Sequence, residues 1–471
     1  MRDKSKSLFK NMGILALSNF ASKILTFFLV PLYTSVLSTD EYGCYDLVYT
    51  SINLLFPILT ANIADGVMRF MMNETYNHKK VLIIGLRYSV LSCVLFGIML
   101  ILNSMFGIIG FAKDNAILIF LYFACFVFQQ LMINYAKGSN RVLDMGIASV
   151  IGTIITIGAN VLFLLILEMG LKGFFYAYIL GCAIPTLYYF VRFRVWKYSI
   201  FTDVDANLKK SMIAYSVPLI LTTLSWTINN SLDKYAASFF CGVAATGLLS
   251  VAYKIPNILS VLQGIFTQAW QISAVAEYGS KDSVDYYDSV FAFVSAFGTI
   301  CCSLLIVFNR LIAHLLFANA FYQAWMYVPF LLVSVNLNSM SGFLGPILSA
   351  EMNSKGMAKS AVLGSVSNTV LNILLIWTIG LQGATIATAI SSLIIYVSRK
   401  RFIKRNLSKN VCQVAYVSWF ILALQAVAEC YFMNYWASIS LFILTCIVNR
   451  RCLINMVSML FSFKKNFKDQ K

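Results

Sequence analysis

The chain has 471 residues, 59% of them hydrophobic and only 12% charged, with 36 Lys/Arg against 19 Asp/Glu. Soluble globular chains carry about 25% charged residues, so this one has too little polar surface for a water-exposed body of its length. Its apolar runs are long and continuous, which excludes the alternating ~10-residue strands of an outer-membrane barrel and points to spanning helices of about 20 residues each.

The basic start, Met1–Lys10, leads into an apolar run over 12–36 that contains Asn19, Ser22 and Lys23. That run continues past Val36 without a small-residue cleavage site, so it reads as a first span and not as a signal peptide. Thirteen more segments follow, at 46–68, 81–106, 115–136, 143–167, 173–191, 211–236, 244–270, 289–313, 324–350, 357–378, 382–398, 411–429 and 432–449. The second, seventh, eighth and tenth of the fourteen are less apolar, as helices lining a polar space would be. The longest polar interruptions, 192–210, 271–288 and 399–410, are too short for a soluble domain. Function must therefore reside in the helices and their short loops.

Charge placement tests this assignment, because cytoplasmic loops carry an excess of Lys and Arg. With the N-terminus inside, 29 of the 36 Lys/Arg fall in inside segments. Three, Lys113, Lys172 and Arg310, fall outside, and Lys23, Arg87, Lys234 and Lys254 fall within spans. Missing or inventing an early span would destroy that asymmetry. The expectation is an even number of spans with both termini cytoplasmic. The net charge of +17 is then a matter of topology and no sign of a nucleic-acid partner. Eleven scattered cysteines and two histidines, His78 and His314, show no metal-ligand spacing, so neither metal nor cofactor is expected.

An internal repeat is visible at an offset of 204. Glu41–Leu55 and Ala245–Leu259 align Gly43 with Gly247, Tyr49 with Tyr253, Asn53 with Asn257 and Leu55 with Leu259. Six spans separate the copies, so both have the same orientation, as in a parallel repeat about the membrane normal. The expected architecture is an all-α membrane protein of about fourteen spans: two six-helix lobes in a V shape plus a C-terminal helix pair. The lobes are 1–192 and 211–405, joined by a cytoplasmic linker at 193–210, with the pair and a basic tail in 406–471.

Ionisable groups inside a span are expensive and normally face a polar interior. Lys23 is mid-span, and Ser18, Asn19 and Ser22 form a polar stripe around it. It reads as cavity-lining; the alternative is a structural ion pair. Lys254 lies in Tyr253-Lys254-Ile255-Pro256-Asn257, where Pro256 should break the helix, and broken helices mark transporter binding sites. Asp233 and Lys234 fit either a site or an interfacial position from which Lys234 snorkels outward. Asp65 and Arg69, four apart, are expected to form an intrahelical pair. Arg87 lies one or two turns into its span and could snorkel. His314 is placed at the interface, and Asn336, Asn338, Asn368 and Asn372 are read as links between helices. The in-span bias is toward cations, which suits an anionic cargo and not a cationic drug.

The chain resembles the multidrug/oligosaccharidyl-lipid/polysaccharide exporter superfamily, and within it the bacterial polysaccharide-unit flippases. The resemblance rests on Ser22-Lys23, on Leu37–Gly43, on Ala64–Phe70, on Pro218, and on Gly247–Trp270. This last stretch is similar to a helix of lipid-linked peptidoglycan-precursor flippases. It implies a non-enzymatic flippase that moves undecaprenyl-diphosphate-linked oligosaccharide across the bacterial cytoplasmic membrane by alternating access, for O-antigen, capsule or exopolysaccharide synthesis. Substrate contacts are implied for Lys23 and Lys254, with Arg69 and Lys234 behind them; Asp233, Asp65 and Arg87 complete the candidates. Partners would be the lipid-linked cargo, membrane lipid, a polysaccharide polymerase and a chain-length regulator. Two rivals stand beside this reading. One is a cation-coupled multidrug exporter of the same superfamily. The other is a membrane glycosyltransferase or polymerase, which the absence of a catalytic loop or carboxylate cluster disfavours.

Overall fold

A computed structural model describes residues 25, 27–73, 75–107, 109–199, 202–278, 283–404 and 407–454. Every regular element among them is helical. The main helices are α1 (Val30–Val36), α2 (Thr39–Leu59), α3 (Ile63–Met71), α4 (His78–Phe106), α5 (Ala116–Gly138), α6 (Val142–Asn160), α7 (Gly170–Arg192), α8 (Ala206–Cys241) and α9 (Val243–Ala252). They continue as α10 (Lys254–Ala276), α11 (Ser283–Val307), α12 (Asn309–Leu316), α13 (Val328–Ala350), α14 (Ser354–Ile379), α15 (Leu381–Phe402), α16 (Lys409–Val427) and α17 (Tyr435–Val448). Ten helices among the described residues are long and apolar enough to cross a membrane, or eleven if the bent pair α2–α3 is one span. The expected fourteen is thus not reached. Most of the first expected span lies outside the described residues, and α17 has only 14 residues.

The chain divides into two compact units, Met1–Ser231 and Leu232–Lys471. In the first, α3, α4, α5 and α7 close on a core of Val67, Phe70, Leu82, Leu131, Met132 and Tyr189, to which the start of α8 adds Leu208 and Met212. At Gly138 a side chain is sterically impossible without movement: a Cβ there would lie 2.6 Å from the Met68 carbonyl and 2.7 Å from Met71 Cβ. This close approach lets α5 hold α3 in place. A second cluster is aromatic: Tyr33 stacks on Tyr42 at 4.8 Å, and Tyr45 packs edge-on to Phe174 at 4.6 Å. The expected linker is not loose. Val195 is buried in the core, and Arg87 Nη2 donates to the Thr202 carbonyl at 2.7 Å.

In the second unit α13 is the most enclosed of the candidate spans. Trp270 of α10 stacks on Phe343 of α13 at 4.5 Å and donates its indole N–H to the Phe343 carbonyl at 2.8 Å. Polar links between helices follow the expectation for two asparagines: Asn336 donates to Thr299 (3.2 Å) and Asn368 to Ser391 (3.0 Å). Asn372 instead donates within its own helix, to Asn368, and Asn338 is exposed. The last helix pair is tied in by Gln425 of α16, whose amide donates to the carbonyls of Ser303 (3.0 Å) and Ser438 (3.1 Å).

The repeat extends beyond the aligned residues. Ser38 precedes α2 and Gly242 precedes α9, so the helix starts, Thr39 and Val243, keep the same offset of 204. The copies diverge further on. α2 runs through Tyr49 to Leu59, whereas α9 stops at Ala252. Pro256, which replaces an Ile52 in the first copy, has no N–H for the Ala252 carbonyl.

Gly138→Ala is expected to destabilise the protein by about 1–3 kcal/mol, the usual penalty for overpacking. Gly158→Ala, which meets nothing within 4 Å, should leave stability unchanged or raised. Thermal unfolding of the two purified variants in detergent compares them directly.

Candidate functional site

The helices are irregular at two places inside apolar segments, and candidate residues lie at both. The first separates α2 from α3, which are bent by 62°. Ala61 and Asn62 both adopt the left-handed region, at φ 51° and 49°, a conformation that only short polar or glycine residues take readily. The Thr60 hydroxyl returns to the Phe56 carbonyl (2.6 Å), and Asn62 N–H reaches the Pro57 carbonyl (2.9 Å). Asp65, in the first turn of α3, accepts from the Asn62 amide at 2.9 Å. This corrects the expected Asp65–Arg69 pair: the carboxylate turns back to the break, where it also faces the positive end of α3, and Arg69 is left exposed.

The second is at Tyr253, between α9 and α10, where Tyr253 N–H still reaches the Leu249 carbonyl (3.1 Å) and Asn257 N–H the Tyr253 carbonyl (3.0 Å) while Pro256 gives the Ala252 carbonyl no N–H; Lys254 is the first residue of α10. Here the Tyr253 hydroxyl donates to Asp233 of α8, and the Lys234 backbone N–H donates to the other carboxylate oxygen at 2.9 Å. The Thr246 hydroxyl donates to the Lys234 carbonyl at 3.1 Å, which fastens α9 to α8. Asp233 is only 4% exposed, so it is a buried acceptor. Lys234 and Lys254 are half-buried. The structure therefore gathers three of the seven candidates, Asp233, Lys234 and Lys254, at one helix break in the second unit. Arg87 is elsewhere, bound to Thr202, and Lys23 lies outside the described residues.

Two charge clusters escaped the sequence reading. Asp144 accepts from Tyr188 (2.8 Å) and Arg192 (2.9 Å). Glu429, 1% exposed, holds Arg310 at 2.7 Å, and that guanidinium lies 4.6 Å from the Trp325 ring centre. Asp144 sits at the start of a span and Glu429 at the end of one, so a search of span centres passes over both. The pairs Asp144–Arg192 and Arg310–Glu429 are 48 and 119 residues apart, and no local spacing announces them. His314 faces Tyr322 edge-on.

The family model described as polysaccharide biosynthesis protein matches residues 8–271, more than half of the chain. The chain belongs to the polysaccharide biosynthesis protein family. The matched region includes both irregular places and every candidate residue, Lys23 and Lys254 among them. The fold is shared with solved structures of 15–16% identity. A lipid II flippase MurJ in an inward closed conformation has a TM-score of 0.68 at 16% identity, over 95% of this chain and 99% of that one. An inward-facing multidrug resistance MATE family transporter gives 0.63 at 16%, over 88% and 95%. A MOP superfamily transporter from Pyrococcus furiosus, described by the reverse polarity of its binding pocket, gives 0.54 at 15%, over 89% and 96%. No curated protein matches the sequence. Family and fold together make this a multi-pass helical membrane protein of the polysaccharide biosynthesis protein family.

The Tyr253–Asp233 contact is open to a direct test. Tyr253→Phe leaves a buried carboxylate oxygen without its donor, a loss of about 1–3 kcal/mol, and should lower the thermal midpoint. Asp233→Asn in the Tyr253→Phe background should recover part of it, because a neutral amide is cheaper to leave under-satisfied. Strictly additive losses in the double variant would show that the two side chains are not coupled.

Proposed function

We propose that this protein is a flippase for undecaprenyl-diphosphate-linked oligosaccharide repeat units, acting by alternating access in the bacterial cytoplasmic membrane with both termini in the cytoplasm. The observation that carries the reading is the cluster at the α9–α10 break, where two half-buried lysines, Lys234 and Lys254, stand against one carboxylate already engaged by Tyr253. Two lysines to one carboxylate give this stretch a positive formal balance, which suits a diphosphate or acidic sugar. Family membership supplies the polysaccharide context.

The physical task explains the chemistry. Sugars and a diphosphate lose their water on entering hydrocarbon, at a prohibitive penalty unless hydrogen bonds and counter-charges replace it. Lysine ammonium groups provide both. Lys23 supplies a further cation in the first unit on this reading, with Arg69 behind it. Arg87 and Asp65 keep secondary places, because Thr202 and Asn62 hold them. A polymerase and a chain-length regulator would be the downstream partners.

The rival reading, a multidrug exporter, has the shared MATE fold in its favour. Complementation separates the two. In cells lacking this protein, Lys254→Ala and Lys23→Ala should insert normally but fail to restore surface polysaccharide, with Lys254→Arg retaining part of the activity. Full restoration by both alanine variants would overturn the site. A broad rise in resistance to cationic dyes on expression of the wild type would favour the exporter and overturn the cargo.

A further inference from the structure

The outer side of the first unit carries a trough that the proposed cargo site does not use. At one end a hollow of about 520 Å³ lies among α4, α5 and α7 beneath Val195, Trp196 and Tyr198. A second hollow, of about 530 Å³, continues along α4 and α5 toward Ile101 and Phe120. The two share Val90, Ala124 and Phe128, so they lie side by side along the same helices. The lining of the trough is almost wholly apolar, and its rim residues Val94, Ile98, Ile101 and Leu187 are strongly exposed on helices fit to cross the membrane. Small residues, Gly97, Ala124 and Ala183, are part of the lining.

Only one end is polar. The turn Val195–Lys197 follows α7, and within it Trp196 is 61% exposed, flanked by exposed Arg194 and Lys197. Across from them the Lys79 ammonium sits 5.9 Å from the centre of the Tyr198 ring. Arg192 is already neutralised by Asp144 and adds nothing. Acids return only at Asp203 and Asp205, beyond this turn. An apolar channel that ends in a tryptophan and three cations has the complementarity of a phospholipid: hydrocarbon, headgroup-level aromatic ring, then anion.

We propose that this trough binds an anionic phospholipid of the surrounding bilayer, with its acyl chains in the channel and its phosphate against Lys79, Arg194 and Lys197. A neutral phospholipid fills the same channel without the electrostatic part. Attraction to anionic lipid changes about fivefold for each Lys or Arg near the surface, so the three cations together set a strong preference.

Full-length protein reconstituted in phosphatidylcholine vesicles tests this, with either phosphatidylglycerol or phosphatidylethanolamine brominated on its acyl chains as quencher. The Trp196 signal is the difference between wild type and Trp196→Phe. Phosphatidylglycerol should quench it at a mole fraction about a hundredfold lower than phosphatidylethanolamine. Lys197→Gln should shrink that preference about fivefold, and Lys79→Gln with Arg194→Gln should remove most of what is left. Quenching by phosphatidylethanolamine should be unchanged in all variants, which also reports correct insertion. Equal quenching by the two lipids in the wild type, or a preference that survives the triple substitution, would overturn the proposal. So would loss of the preference on adding millimolar inorganic phosphate, which would reveal a soluble-anion site.

Discussion

Inside hydrocarbon a backbone N–H or C=O has no water to turn to, so each must find its partner within the protein. A continuous helix meets this demand automatically. An interrupted one must recruit substitutes, and the recruited groups determine what the interruption can do. At residues 60–62 the substitutes are local: the Thr60 hydroxyl, a wider backbone turn at Asn62, and an Asn62–Asp65 bond. At Tyr253 the backbone stays helical, its N–H reaching the Leu249 carbonyl and its carbonyl accepting from Asn257 N–H, and side chains add the ties to α8: Tyr253 to Asp233, and Thr246 to the Lys234 carbonyl. The first arrangement keeps Asp65 occupied and frees Arg69. The second engages Asp233, next to Lys234, and sets Lys254 at the start of α10.

Much of this was legible in the sequence. Apolar runs long enough to span gave the all-helical membrane class, and helices occupy the segments so marked among the described residues. The proline in Tyr253–Asn257 announced the α9–α10 break to within a few residues, because a missing N–H acts on its own carbonyl partner and nowhere else. The 204-residue offset, drawn from four identities, persists in the two helix starts. Helix ends are set by local turn chemistry that the repeat retains.

What sequence could not supply was partner choice. Asp65 and Arg69 satisfy the four-residue spacing of a helical ion pair, yet the helix begins only at Ile63. Asn62 therefore lies in a tight left-handed turn that brings its amide to the carboxylate first. The pattern around Asp233 fits either a site or an interfacial position, and the hydroxyl it accepts from, on Tyr253, is twenty positions away. Glu429 and Arg310 meet over 119 residues of separation. Periodicity describes one helix at a time and is silent on which helices touch.

The length of α8 has a further consequence. Its 36 residues extend about 54 Å at 1.5 Å per residue, against a hydrocarbon layer of about 30 Å. Upright, a helix of that length reaches beyond the hydrocarbon layer. The end with the paired lysines, Lys209 and Lys210, is suited to that position, and there Leu208 and Met212 join the Val195 and Tyr189 core. This corner of the first unit is thus assembled as a soluble protein is, by expulsion of water from apolar surface. The embedded helices have no such drive and rely on close fit and polar contact. One body is held by two kinds of cohesion, and a denaturant such as urea would reach the wet one first.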